Sequence, residues 1–463
     1  MRRAAFTGAA PVSHPGSSRG SAGASRAHAD AQSGLEWKWP WEGVEWSVAY
    51  VGFLLYILVM TTYQLGVGDL AVATALGGLL FEKQRFRFPA FLALMAALIL
   101  WAAVGYFVTP FPAPVYERVY EFGKLWLIAL VAVNVLTTRA RVRFFLIFWV
   151  ACFMLYPMRG TLVNYFIGGY TWFGRALWNF IYRNPNDLAA LTLLHLSIAA
   201  GLLVTQKHKW VRLGALASTL VMPLVILLTQ SRGAFIGFAT FGLLALAGQR
   251  QRMRALALGV VLGGVALLFV PSTAWERFGS LAGLSMEEEA IAEMDEEGSA
   301  EQRWEIWKTA MMIIGDNPVT GVGFGAYTSA NALYAGTMDA ASTNRGARDT
   351  HSTYLNVIAE IGWPGFVLFM TMIGVTLVGA EGKRRAMARS EPQLAQQIRL
   401  MQLGLIGFLI AGIFASYAKL AFLYLMLALL YAMATLPAEG ARRRARRSGI
   451  GRAAGAYGPS MRA

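Results

Sequence analysis

The sequence predicts an all-α, polytopic integral membrane protein with about twelve transmembrane helices. The chain has 463 residues, of which 56% are hydrophobic and 14% are charged. Soluble domains carry about 25% charged residues, so this low charge favours a membrane protein. Apolar runs of close to the ~20 residues that cross a bilayer recur between residues 46 and 436. The chain is therefore expected to cross the membrane many times.

The predicted spans follow the apolar runs in order. The first run, at about 46–81, is too long for one crossing, and we divide it near Gly66-Val67-Gly68-Asp69. Further spans are predicted at about 88–109, 122–138, 143–157, 186–204, 210–229, 233–248, 255–271, 354–380, 398–415 and 418–436. Residues 46–271 thus hold spans one to nine, and 353–436 hold spans ten to twelve. Between them, residues 272–352 form one large polar loop with an acidic run at 287–301.

The two ends of the chain are predicted to be cytoplasmic tails. Residues 1–45 are rich in Ala, Gly, Ser and Arg and lack the apolar core of a signal peptide, which predicts a disordered tail. Residues 437–463 form a basic tail. The loops assigned to the cytoplasm carry the following basic residues: Lys83, Arg85, Arg87, Arg139, Arg141, Arg143, Lys207, Lys209, Arg212, Arg250, Arg252, Arg254, Lys383, Arg384, Arg385 and Arg389. By the positive-inside rule, the segments at about 158–186, 230–233 and 272–352 then share the outer, non-cytoplasmic side.

The +15 formal charge lies in these short loops and in the tails, so it does not indicate nucleic-acid binding. Cys152 is the single cysteine and lies in an apolar run. It cannot form an intramolecular disulfide, and a zinc–cysteine site has no support. No second histidine or cysteine stands at ligand spacing around His351, so we expect no metal site.

Two arginines on the predicted outer side are candidate ligand-binding residues. Arg232 separates two apolar runs, where an arginine either serves a function or snorkels to water. Arg303 begins Arg303-Trp-Glu-Ile-Trp307 and either binds an anion or forms a surface ion pair with Glu301 or Glu305. The planar guanidinium group can hold a phosphate at two points, so two such residues on one face could hold a diphosphate.

His351 is the only histidine predicted on the outer side. It is either a general base at the mouth of a span or a hydrogen-bonded structural residue. The glycine-rich run at 321–325 has no Gly-Lys-Ser/Thr ending, so a nucleotide loop is weakly supported. Asn186 or Asp187 is expected to cap the span that follows.

Four ordered stretches resemble the O-antigen ligase and O-antigen polymerase family of bacterial membrane glycan transferases. They are Asn184-Pro-Asn-Asp-Leu-Ala189; Leu228-Thr-Gln-Ser-Arg-Gly233; Arg303-Trp-Glu-Ile-Trp307 followed by Asn317-Pro-Val-Thr-Gly-Val-Gly-Phe-Gly325; and Thr350-His-Ser-Thr-Tyr-Leu355 followed by Glu360-Ile-Gly362. Each stretch is weak alone, but their order, spacing and predicted side agree. The resemblance covers about residues 46–436.

The resemblance implies a mechanism and a set of site residues. Arg232 and Arg303 would bind the diphosphate of a polyprenyl-linked glycan donor, and His351 would activate the acceptor hydroxyl. Asn186, Tyr354 and Glu360 are candidate supporting residues. Transfer would invert the sugar and need no metal, nucleotide or other cofactor. The partners implied are the donor, a lipid, glycan or protein acceptor, and membrane lipids.

The sequence therefore predicts a bacterial inner-membrane glycosyltransferase with a periplasmic active site. A ligase, which moves a finished glycan to a lipid or protein, is preferred on the single dominant outer loop. A polymerase that joins lipid-linked repeats is the first alternative. A transporter or flippase of lipid-linked sugars is the second, although neither internal repeats nor paired mid-membrane charges are evident.

Overall fold

The computed structural model describes residues 39–63, 66–82, 84–247, 300–336 and 346–437. Within these ranges the regular secondary structure is helical, apart from an isolated antiparallel bridge between Trp172 and Arg175. The predicted ninth span, most of the acidic run and most of both predicted tails lie outside the described residues. The predicted all-helical class is confirmed for the described part of the chain.

Thirteen helices are used below, numbered in chain order within the described ranges. They are α1 (Val48–Thr62), α2 (Gly68–Leu79), α3 (Ala90–Tyr106), α4 (Pro112–Val135), α5 (Arg139–Gly168), α6 (Pro185–Thr205), α7 (Lys209–Leu228), α8 (Arg232–Ala247), α9 (Ala300–Asp316), α10 (Tyr327–Ala335), α11 (Thr353–Met387), α12 (Pro392–Ala411) and α13 (Ala421–Ala434). By length and composition, α5, α6, α7, α11 and α12 could each cross a membrane. α1, α2, α3, α8 and α13 are shorter apolar helices. The count of twelve crossings stays a prediction.

Several boundaries differ from the sequence prediction for identifiable reasons. The break between the first two spans is confirmed, since α1 ends at Thr62 and α2 begins at Gly68. α4 begins ten residues before the predicted start at 122, with Pro112 in its first turn. The hydropathy pattern hid this part of the helix because it carries charges such as Glu117 and Arg118. α5 continues past the predicted end at 157, because π-helical turns accommodate Pro157.

The predicted cap of α6 is wrong. The side chain of Asn184, and not that of Asn186 or Asp187, caps the helix by accepting a hydrogen bond from the backbone N–H of Asn186 at 2.8 Å. Pro185 occupies the first helical position, where its missing N–H costs nothing. The cap one residue before the proline leaves the Asn186 side chain available for a different contact, described below.

The helix ends form two groups. At one end, called the basic end, the loops at 82–88, 136–143, 206–209 and 384–391 meet. Arg141 pairs with Glu82 at 3.1 Å, Arg139 pairs with Glu391, and Arg143 donates to the Gln206 side chain at 2.7 Å. The described parts of the loops that the positive-inside pattern assigned to one side of the membrane therefore lie together, while the loop at 250–254 lies outside the described residues.

At the opposite end, called the cavity end, the segments at 107–111, 174–182, 229–231, 350–353 and 412–420 meet. The backbone N–H of Thr353 donates to the carbonyl of Gly412 at 2.8 Å, and that of Ala176 donates to the carbonyl of Leu228 at 2.9 Å. The Thr109 hydroxyl donates to the carbonyl of Val322 at 2.5 Å. Segments that are far apart in the sequence thus converge here.

Small residues bring α6, α8 and α12 into close contact. A Cβ atom added to Gly237 of α8 would lie 2.3 Å from the carbonyl oxygen of Gly407 in α12. One added to Gly404 would lie 2.2 Å from the Ser197 side chain of α6. Such contacts let helix backbones approach closely in membranes, where van der Waals packing drives association. They fix the first turn of α8 beside the last turn of α12.

The glycine-rich segment at 317–325 packs on a kink in α11. Gly362 has φ 66° and interrupts the helical backbone, two residues before Pro364. The backbone N–H groups of Val322 and Gly323 donate to the carbonyls of Ala359 and Glu360, both at 2.9 Å. These bonds pair the polar groups that the kink exposes. The glycines thus serve close backbone contact in a helix kink, which agrees with the weak support for a nucleotide loop.

Candidate active site

A narrow cavity at the cavity end is lined by three arginines, Arg175, Arg232 and Arg303. Its other lining residues are Asn186, Gln230, Ser231, Gly233, Ala411, Phe414, Ala415 and Tyr417. None of these described lining residues is acidic. The enclosed volume is about 20 Å³, close to the room of one water molecule. A larger anion would contact the arginines at the mouth of the cavity or move their side chains apart.

Arg232 is the first residue of α8. The Ser231 hydroxyl accepts a hydrogen bond from the backbone N–H of Ala234 at 3.4 Å. The backbone carbonyl of Ser231 accepts one from the backbone N–H of Phe235 at 2.9 Å. The first turn of α8 therefore faces the cavity with Ser231, Arg232 and Gly233. A helix N-terminus carries about half a positive charge and unsatisfied N–H groups, so it favours anions. Arg232 adds a full charge at the same place.

Arg303 reaches the cavity from α9. One turn later on this helix, the Trp307 indole N–H donates to the carbonyl of Thr350 at 3.0 Å. This bond fixes α9 against the segment that leads into α11. Glu305, a predicted ion-pair candidate, contacts Lys308 at 2.7 Å. The structure thus brings the two sequence-predicted arginines to one cavity, although they lie on different helices.

Arg175 is a third arginine of the cavity that the sequence analysis did not identify. It is buried, with 6% of its surface exposed. Its Nε–H donates to the Thr229 carbonyl at 2.9 Å, and an Nη–H donates to the Asn186 side-chain oxygen at 2.8 Å. A carbonyl oxygen and an amide oxygen thus help to orient this guanidinium group. Asn186 is in turn fixed by Tyr417, whose hydroxyl donates to the backbone carbonyl of Asn186 at 3.0 Å.

A tight turn places Arg175. Trp172 and Arg175 exchange two backbone hydrogen bonds at 3.0 and 2.9 Å, and both residues between them, Phe173 and Gly174, have positive φ. This is the geometry of a two-residue hairpin turn, which favours glycine. The sequence signal was available: an arginine beside Phe173-Gly174 in a segment assigned to the outer side opposes the positive-inside bias, as Arg232 does.

Gln230 contributes an oriented acceptor to the cavity wall. It is 3% exposed and its φ is 51°, in the left-handed region that few non-glycine residues adopt. Its amide N–H donates to the Gly174 carbonyl at 3.2 Å, so its oxygen points elsewhere. That oxygen has no hydrogen-bond partner among the described residues. Buried polar atoms are nearly always paired, so this oxygen marks a place for a donor such as a hydroxyl group or water.

His351 lies beside the cavity but is not one of its lining residues. It is partly buried and has φ 49°. The next residues are fixed to the cavity wall, since the Thr353 hydroxyl donates to the carbonyl of Ala415 at 2.7 Å. On the other side, the Thr350 carbonyl accepts from Trp307 of the helix that carries Arg303. His351 is therefore held in a strained backbone conformation between two walls of the site.

The three candidate supporting residues occupy different places. Asn186 lines the cavity and holds Arg175. Tyr354 lies outside the lining and donates from its hydroxyl to the Leu409 carbonyl of α12 at 2.8 Å. Glu360 also lies outside it, and its carboxylate accepts long hydrogen bonds of 3.4 Å from the backbone N–H of Tyr327 and from the Asn356 amide. Tyr354 and Glu360 thus make contacts that support the fold around the α11 kink.

Residues 215–370 match the family model described as O-antigen ligase. The matched region includes Arg232, Arg303 and His351, and it ends within α11. Arg175 and Asn186 precede it. A comparison with curated proteins finds no match.

Proposed function

Since residues 215–370 match the family model described as O-antigen ligase, we propose that the chain is a membrane glycosyltransferase of the O-antigen ligase and polymerase family. It would move a glycan from a polyprenyl diphosphate carrier to a lipid or protein acceptor on the periplasmic face of the inner membrane. One observation carries the proposal: Arg175, Arg232 and Arg303 converge on one cavity at the end opposite the basic loops. By the positive-inside rule, that end is the periplasmic one.

The cavity chemistry suits the diphosphate of the donor. The anion would meet Arg232 and Arg303, the N–H groups of the first turn of α8, and the field of the buried Arg175. Guanidinium groups bind phosphate oxygens at two points, and their charge persists at any working pH. During transfer, negative charge grows on the leaving diphosphate. Fixed positive groups stabilise that charge where other glycosyltransferases use a metal ion.

His351 is the proposed general base. The acceptor hydroxyl oxygen attacks the anomeric carbon of the first donor sugar while its proton passes to the imidazole of His351. The bond between that carbon and the diphosphate oxygen breaks, and the electron pair leaves with polyprenyl diphosphate. Attack from the side opposite the leaving group inverts the sugar. Trp307 of the helix that carries Arg303 bonds to the carbonyl of Thr350, the residue before His351, which supports a base close to the diphosphate site.

The reaction is tested with purified protein and a polyprenyl diphosphate carrying a glycan. Release of free polyprenyl diphosphate, together with a glycosylated lipid or protein, is the expected result. If release requires only a second carrier-linked glycan as acceptor, the protein is a polymerase. If the donor crosses a vesicle membrane unchanged and nothing is released, the protein is a transporter and the proposed reaction is wrong.

A further inference from the structure

A second, larger pocket lies beside the cavity. Three kinds of side chain line it: aromatic (Tyr170, Trp172, Phe180), aliphatic (Leu177, Ile181) and polar (Thr171, Arg183, Asn184, Asp187). Its volume is about 530 Å³, within the range of about 300–1,000 Å³ that is usual for small-molecule sites. We call it the aromatic pocket. None of the sequence motifs assigned a role to it, although Asn184 and Asp187 belong to one of them.

The aromatic pocket and the cavity share two structural elements. The tight turn at 172–175 presents Trp172 to the pocket and Arg175 to the cavity, with the guanidinium carbon 5.7 Å from the indole ring centre. The start of α6 likewise presents Asn184 and Asp187 to the pocket and Asn186 to the cavity. The turn and the start of α6 therefore form a wall that the two spaces share.

Strained backbone supports the pocket walls. Phe173 and Phe180 have φ of 49° and 59°, in the left-handed region that costs free energy for bulky residues. Phe180 is held there by stacking on Tyr63 at a ring-centre distance of 5.0 Å. Such conformations persist only where the surroundings fix them, and they cluster at ligand-binding sites. Tyr170 and Phe180 remain about half exposed, at 47% and 53%.

The lining combines aromatic faces with polar groups at the rim, which suits a sugar. A sugar ring has apolar C–H groups on its faces and hydroxyl groups around its rim. It can stack on an aromatic face while its hydroxyls bond to charged and amide groups such as those of Arg183, Asn184 and Asp187.

We propose that the aromatic pocket binds a sugar residue next to the diphosphate site, and this inference rests on the proposed function. The sugar belongs either to the donor glycan or to a glycan acceptor. In both cases the pocket adds affinity through groups that the diphosphate itself does not touch. The pocket is therefore a specificity site for carbohydrate, separate from the arginines that bind the anion.

The test compares two carriers and three substitutions in the full chain. The probes are polyprenyl diphosphate carrying a glycan and bare polyprenyl diphosphate. Tyr170→Leu keeps an apolar side chain but removes the ring face, Tyr170→Phe keeps the ring, and Arg183→Gln removes a rim charge from an exposed side chain. Tyr116→Leu is the matched control, because Tyr116 is a 66% exposed tyrosine of α4 that lines neither site.

We expect Tyr170→Leu to weaken binding of the glycan-carrying donor by about 3- to 10-fold, the usual worth of one aromatic contact. Binding of the bare carrier should be unchanged, Tyr170→Phe should retain most of the affinity, and Arg183→Gln should weaken only the glycan-carrying donor. If donor binding is normal but the KM for a glycan acceptor rises by the same factor, the sugar in the pocket is the acceptor's.

Two results would overturn the inference while leaving the proposed function intact. One is unchanged donor affinity and unchanged acceptor KM in both Tyr170→Leu and Arg183→Gln. The other is equal weakening of both carriers, which would assign the pocket to the lipid or the diphosphate. If the unmodified protein binds neither carrier, the proposed function itself fails, and the sugar site fails with it.

Discussion

The two ends of the helix bundle use arginine in opposite ways. At the basic end, several arginines contact carboxylates: Arg141 contacts Glu82 at 3.1 Å, and Arg384 contacts Glu381 at 2.6 Å. At the cavity end, three arginines line one space, and none of the described residues lining it is acidic. Two of the contacts that orient Arg175 there are to a carbonyl and an amide oxygen.

This difference separates two roles of arginine. At the basic end, arginines stabilise the fold through ion pairs, and at the cavity end we assign them to binding an anion. A carboxylate partner neutralises a guanidinium group and leaves little field for a ligand. Neutral partners satisfy its geometry and leave its charge in place. Placing three cationic side chains around one space is costly, and a bound anion would offset that cost. The comparison therefore predicts that changes at the cavity end reduce activity, whereas changes at the basic end reduce stability or do nothing.

The largest expected effect at the cavity end follows from removing His351. We expect His351→Ala to slow transfer by about 10²–10⁴-fold, the usual contribution of general acid–base catalysis. Donor affinity should stay near that of the unmodified protein, because the imidazole lies outside the arginine-lined wall. Turnover and donor binding are measured on the same purified sample. Near-normal turnover in a well-folded variant would return His351 to a structural role.

The basic end should respond through stability. Arg141 is 2% exposed, and its side chain also donates to the carbonyls of Glu45 and Val135, at 2.7 and 3.2 Å. Removing one partner of a buried ion pair costs about 3–5 kcal/mol, since the other charge stays buried and uncompensated. Arg141→Ala should therefore lower the thermal unfolding temperature in detergent and the yield of folded protein. The remaining folded fraction should transfer glycan at the normal rate. A stable but inactive Arg141→Ala protein would contradict the division between the two ends.

Much of this comparison could be predicted from the sequence, because charge and hydropathy act locally. The alternation of basic loops anticipated which helix ends meet. Arg232 and Arg303 were identified as a pair, through their predicted side and the family resemblance. The site contacts were not predictable in the same way. Arg175 depends on a turn with two consecutive positive φ values, and its role depends on Asn186, whose side chain was expected to cap α6.

The α11 kink is a second limit of sequence reasoning. Residues 354–380 form one apolar run, which predicts one straight helix. The bend at Gly362 arises because segment 317–325 supplies hydrogen bonds that replace the helix's own, such as the N–H of Trp363 donating to the carbonyl of Pro318 at 2.9 Å. A contact between segments so distant in the chain has no local signal. Only the glycines in segment 317–325 and Gly362 in α11 indicated that two backbones would approach closely.

A smaller effect is expected when lysine replaces a cavity arginine, which keeps the positive charge but removes the planar guanidinium group. Arg232→Lys and Arg303→Lys should each lower the rate by about 10- to 150-fold, which corresponds to losing one charge-assisted hydrogen bond of about 1.5–3 kcal/mol. Lysine cannot reproduce the two-point contact with a phosphate. The double variant should be less impaired than the product of the two single effects, because both residues bind one ligand. Rates and unfolding temperatures are measured for all three proteins.

Activity in these assays should also persist with a chelator, since the arginines supply the positive charge. The arrangement would be refuted by a chelator-sensitive enzyme that tolerates both substitutions. Strict additivity of the two defects would instead mean that the arginines act on different ligands or at different steps.

The smallest expected effect concerns an arginine at the basic end that has an ion pair but little burial. Arg385 contacts Glu381 at 2.5 Å, and its side chain is 75% exposed. Arg384 also binds this carboxylate, with its Nε at 2.6 Å and an Nη at 2.7 Å. Arg385→Ala therefore leaves Glu381 paired and should change the free energy of unfolding by less than about 1 kcal/mol, as exposed ion pairs do. Transfer should stay within about twofold of the unmodified rate.

The matched variant is Arg232→Ala, which removes the same side chain from the cavity end and should reduce transfer with little change in unfolding temperature. The contrary result is that Arg385→Ala impairs transfer as strongly as Arg232→Ala in equally stable proteins. That result would mean that the end of the bundle at which an arginine lies does not determine its role.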